Sequence, residues 1–175
     1  RLKGHYLDTK HPIIVENLMG IKRVKGSIQK GKKPILINHL KLIINVINEQ
    51  DIEEIVKLRN KTLILIGFGG GFRRTELVSI DYEDLEFVDE GVKIALKRSK
   101  TDQFGEGMIK GLPYFSKEIY CPVTNLKNWL KISKIKTGPI FRRFVKGSAL
   151  TENRLTDQSV VLIIKDCLKL AGIAN

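Results

Sequence analysis

The sequence predicts a mainly helical α+β fold with one small antiparallel sheet, on three observations. Apolar residues recur at helical spacing over about 36–49, about 52–67 and from Thr156 onward. A short alternating run over 85–96 is broken by Asp89-Glu90-Gly91, as a hairpin would be. No internal repeat interrupts this order, and 175 residues with a 42% hydrophobic share suffice for one good core.

Taken in order, Pro12 to Met19 reads as the last turns of a helix. From Asn17 through Asn48 there is no Asp or Glu, while Lys22, Arg23, Lys25, Lys30, Lys32, Lys33 and Lys41 all fall there. Gly20, Gly26, Gly31 and Pro34 punctuate the stretch, so 21–34 reads as an exposed basic linker between a tail at 1–20 and a domain at 35–175. Leu36, Leu40, Ile43, Ile44 and Ile47 share a helical face, and Ile52, Ile55, Val56, Leu63 and Ile66 are expected inward on the next helix. Gly69–Gly71 end it, and a short helix follows from about Arg73 to Ile80. Leu85–Val88 and Val92–Leu96 pair as a hairpin, a polar loop spans about 99–107, and a third strand lies near Met108–Leu112. Pro122 opens a helix with Val123, Leu126, Trp129 and Leu130 on one face. Thr156 caps the last helix, which is expected to bury Val160, Ile163, Ile164, Cys167, Leu168 and Ala171 before Gly172 stops it. Trp129 and Phe141 are expected in the core.

Charge narrows the function. A net charge of +12 and a pI near 9.7 favour a polyanionic partner held in a salt-dependent way. Cys121 and Cys167 form no CxxC and have no histidine at ligand spacing, which argues against a disulfide framework or a zinc site. The apolar runs are far short of a membrane span of roughly 20 residues, and no signal peptide is visible. A cytoplasmic protein that avoids membranes is expected.

Gly69-Gly70-Gly71-Phe72-Arg73-Arg74-Thr75-Glu76-Leu77 is the most telling stretch. A glycine break brings an arginine pair to a helix start, where free N–H groups and a guanidinium can converge on one phosphate. The plain alternative is an exposed Arg73–Glu76 helical pair. A nucleotide loop fits poorly, because Phe72 stands at the sixth position of Gly67-x-Gly69 and no GK[ST] follows. Lys97, Arg98 and Lys100 flank a hairpin loop from which a lysine can donate a proton or bind phosphate; a solvated turn has the same composition. Arg142, Arg143 and Lys146 read as a further basic loop, solvated or touching a backbone.

Three segments in this order carry a resemblance. Gly71–Leu77 followed by Asp84 looks like the first conserved box of the tyrosine recombinase (phage integrase) family. Leu96–Asp102 resembles its lysine-bearing hairpin. Cys121-Pro122-Val123, Trp129-Leu130 and Gly138–Arg142 resemble its connecting region. The likeness runs from about Pro34 onward; the residues before it resemble the tail of the helical core-binding domain and the interdomain linker.

The resemblance implies a catalytic-domain fold, incomplete at the C-terminus, that acts on double-stranded DNA. In this family a tyrosine attacks a phosphodiester, and the phosphotyrosyl link is resolved by another strand's 5′-hydroxyl. Arg73 matches the first phosphate-clamping arginine and Lys100 the lysine that protonates the leaving 5′-oxygen. Glu76 and Asp84 match supporting positions that brace the arginine's helix. Lys22, Arg23, Lys25, Lys30, Lys32, Lys33, Arg74 and Arg98 are expected to contact DNA, and neither metal nor cofactor is implied. His5, His11 and His39 precede the arginine box, and none has an arginine three residues later. Tyr6, Tyr82, Tyr114 and Tyr120 are misplaced for the nucleophile. The His-x-x-Arg box and that tyrosine are thus missing from these residues, and the chain alone is expected to be inactive. With the family's final helices also missing, exposed apolar surface and association are expected. The parent function is integration of a mobile element; the alternative is a non-catalytic DNA-binding remnant or partner of a full-length recombinase, self-associating on DNA.

Overall fold

The computed structural model describes residues 8–26, 34–97, 107–146 and 148–173. The chain divides into two compact units, Arg1–Pro34 and Ile35–Asn175. In the first, α1 spans Pro12–Lys25, so it runs past Met19 and takes in the first five positions of the expected linker. Gly20 does not break it, since a single helical glycine costs only about 1 kcal/mol. None of its residues is buried.

The second unit holds the core. Its helices are α2 (Ile37–Glu49), α3 (Glu54–Gly69), α4 (Arg74–Ser79), α5 (Pro122–Ser133) and α6 (Asp157–Leu170). α3 is the central element: Leu63, Ile64, Leu65 and Ile66 are all buried in succession, which only a helix covered on every side allows. Each such side chain contributes roughly 1.5–3 kcal/mol relative to exposure. α2 turns Leu40, Ile43, Ile44 and Ile47 inward as its spacing predicts. Ile52 does not follow its pattern: it precedes α3 and is 41% exposed. α5 packs along α3 and buries Trp129, whose indole N–H donates to the Ile140 carbonyl at 2.7 Å. α6 lies against α2 and α4. It buries Val160, Cys167 and Leu168, while Ile163, Ile164 and Ala171 are only partly covered. The Thr156 hydroxyl accepts the Ser159 amide at 3.1 Å and caps the helix.

β1 (Leu85–Val88), β2 (Gly91–Leu96) and β3 (Met108–Pro113) form an antiparallel sheet in that order. Ile94 stands opposite Leu85 on one side and Lys110 on the other, and Val92 stands opposite Phe87 and Leu112. The alternating side of β2, Val92, Ile94 and Leu96, is buried. A second hairpin, β4 (Arg142–Phe144) with β5 (Leu150–Arg154), replaces the basic loop expected around Arg142, Arg143 and Lys146. Arg142 is bound there to the Pro139 and Thr137 carbonyls at 2.9 and 2.6 Å, so its charge serves the fold. Among the described residues no helix is long and apolar enough to cross a membrane.

Candidate functional site

The site forms where α3 gives way to α4. α3 ends at Gly69, and Gly71 takes φ +56°, a left-handed turn that a side chain would strain. A Cβ at Gly70 would collide with the Phe72 ring, so the glycines let the chain double back and Phe72 fold over it. Arg73 follows in extended conformation (φ −66°, ψ 152°) and α4 starts at the next residue.

Glu76, on the first turn of α4, organises this junction. One oxygen, Oε2, accepts the Arg73 backbone N–H at 3.0 Å; the other, Oε1, accepts the Arg73 guanidinium at 2.8 Å. Arg73 stands at the N-cap of α4, so its own amide is not among the first-turn N–H groups, which belong to residues 74–76. The Arg73 amide is committed to Glu76, while its guanidinium, also paired with Glu76, stays half exposed. Glu76 is 6% exposed and Arg73 is 50% exposed, and among the described residues one guanidinium nitrogen is engaged. Burial pushes the Glu76 carboxyl upward, but the Arg73 amide and guanidinium and the Lys110 ammonium outweigh it and hold the group below its ordinary value.

Lys110 on β3 is a member of the site that sequence reasoning missed. Its Nζ donates to the Gly70 and Gly71 carbonyls at 3.1 Å each and to Glu76 Oε2 at 3.4 Å, and sits 4.4 Å from the Phe72 ring centre. Nothing in the spacing of a lysine 34 positions beyond Glu76 announces this.

Asp84 caps the short turn that follows α4. Its Oδ2 accepts the Asp81 amide at 2.9 Å across the 3-10 turn Tyr82–Asp84, and Lys97, just beyond β2, reaches Asp84 at 2.9 Å and Asp81 at 3.7 Å. Asp84, with a smaller push from Asp81, holds the Lys97 ammonium above its usual range. Arg154 on β5 closes the cluster by donating to Asp81 at 2.5 Å and to the Val78 carbonyl on α4 at 2.6 Å. Arg154, like Lys110, gives no sign of its role in the sequence.

Arg74 is exposed beside an apolar groove of about 200 Å³ lined in part by Ile35, Leu40, Phe68, Phe72 and Ile164. Lys22, Arg23 and Lys25 occupy the last turn of α1 in the first unit, where cations suit the helix dipole. Lys30, Lys32, Lys33, Arg98 and Lys100 lie outside the described residues.

The glycine-hinged arginine, the antiparallel hairpin and the helical core together match the fold of solved site-specific recombinases. The chain is 41% identical over 170 residues to an integrase/recombinase XerD homolog from Selenomonas ruminantium, an alignment that covers 97% of this chain and 49% of that protein. Among solved structures it resembles the XerH site-specific recombinase bound to difH substrate before cleavage, with TM-score 0.58, 18% identity, and coverage of 99% of this chain and 50% of the other. It also resembles XerA recombinase, with TM-score 0.56, 16% identity, and coverage of 99% and 59%. No family model matches the chain. In sequence and in fold alike the chain is similar to site-specific recombinases. It spans about half the length of the curated relative it matches.

Proposed function

We propose that this chain is the phosphate-handling part of a site-specific recombinase or integrase. The parent reaction is DNA strand cleavage and rejoining through a phosphotyrosine intermediate during DNA integration. The observation that carries this reading is Arg73, anchored by a buried carboxylate while half of its side chain stays open. A guanidinium held this way presents its remaining donors as a fork to the nonbridging oxygens of a phosphodiester and stabilises charge that develops on them. Lys100 has the part of proton donor to the leaving 5′-oxygen. Arg74, Arg98 and the cations at 22–33 hold the DNA backbone, a contact that fixes position rather than sequence. Two of the family's catalytic groups have matching residues here, so the chemistry is proposed for the whole protein and DNA binding for this chain.

Self-association on DNA, or with a full-length recombinase, is the partner side of the same proposal, and the apolar groove beside Arg74 supports it. A cytoplasmic location is part of the same proposal. The test is the dissociation constant for duplex DNA across a salt series. We expect weak, poorly sequence-specific binding that loosens steeply with salt. A constant that is flat from low to moderate salt overturns the reading.

A further inference from the structure

Resting on the reading of Arg73 as a phosphate clamp, the geometry points to Lys110 as a positioning residue that sets where the guanidinium stands without touching the phosphate. An ammonium has three N–H donors, and here three oxygens receive them: the Gly70 and Gly71 carbonyls and Glu76 Oε2. The side chain is 19% exposed and the Phe72 ring lies against the same ammonium. No donor remains for a DNA oxygen.

What the ammonium does is pass through Glu76. That carboxylate holds Arg73 at two points, backbone N–H and guanidinium, and Lys110 fixes the oxygen that takes the backbone N–H. Lys110 also covers two carbonyls at the end of α3, where the helix dipole and the carbonyl oxygens would otherwise repel an approaching phosphate. The strand thus fastens the glycine turn and the clamp to each other.

The experiment measures duplex DNA affinity against salt for the wild-type chain, Lys110→Met, Arg73→Ala and the double variant, with thermal melts to confirm folding. Lys110→Gln, which keeps hydrogen-bonding capacity but not charge, serves if the methionine variant does not fold. Lys110→Met is expected to weaken binding roughly tenfold, the scale of one charge-assisted hydrogen bond, with the salt slope unchanged. In the Arg73→Ala background the same substitution should change affinity by less than about twofold, because the group it positions is gone. Lys110→Arg should restore much of the loss. A slope that falls by about 1 in Lys110→Met identifies a direct phosphate contact and overturns the inference. So does a loss of the same size in both backgrounds, which marks a merely structural role. Arg73→Ala leaving affinity and slope untouched sinks the phosphate-clamp reading itself.

Discussion

At the start of α4, and again in the 3-10 turn after it, a carboxylate accepts the backbone N–H three residues earlier and a lysine from the sheet binds that carboxylate. Glu76 takes the Arg73 amide and Lys110 from β3; Asp84 takes the Asp81 amide and Lys97 from the end of β2. The two turns differ in the residue at the capped position. The first carries an arginine whose side chain is half open, whereas the second carries an aspartate tied to Arg154 and Lys97. One plan therefore leaves a half-open arginine, the proposed clamp, in one place and a brace in the other. The brace in turn holds the far end of α4, through the Arg154 bond to the Val78 carbonyl.

Removing the two carboxylates breaks this comparison most severely. Glu76→Ala leaves the largely buried Lys110 ammonium without its carboxylate and is expected to cost about 3 kcal/mol, a fall in melting temperature of roughly 10 °C. Asp84→Ala should cost only about 1–2 kcal/mol, because Lys97 is 69% exposed and water takes over its solvation. Equal losses in thermal melts would show the turns to be energetically alike.

The two arginines, one at the first turn and one bound to the second, should separate next. Arg154→Ala forfeits two bonds that join β5 to α4 and Asp81, and about 1–2 kcal/mol of stability with them. Arg73→Ala loses one partly exposed pair and should cost less than about 1 kcal/mol, measurable by urea titration. A larger loss for Arg73 than for Arg154 would make the clamp a structural device.

The smallest effect is in acid. Glu76 has its pKa lowered in the folded chain, so its stabilising contribution is complete above the carboxyl's unfolded-state value and is lost as pH falls through the folded one. Glu76→Gln should flatten that limb of the stability–pH curve. A limb of unchanged steepness would assign acid sensitivity to other carboxyls.

Much of this architecture was legible because it is local. The α2 stripe, the Gly69–Gly71 break, the 85–96 hairpin and the Thr156 cap each depend on residues within a few positions of one another. The β4–β5 hairpin was not, since β4 is three residues long and begins with two arginines, which read as solvent-facing. α1 ran past its expected end because a helix with no buried face leaves no apolar period to show where it stops. At the site, the Arg73–Glu76 pair was legible from its i, i+3 spacing, though only as a plain exposed pair, and Glu76 proves to be buried. Lys110 and Arg154 were not legible, because each reaches its partners only after the sheet or the second hairpin has folded back, 34 to 76 residues along the chain.

The most direct test of the clamp-and-brace account is the salt slope of duplex DNA binding for Arg73→Ala set beside Arg154→Ala. We predict that Arg73→Ala lowers the slope by about 1 while Arg154→Ala, once folded, leaves it at the wild-type value. A slope unchanged in Arg73→Ala, or lowered equally in both, would contradict the assignment of Arg73 as the outward phosphate contact.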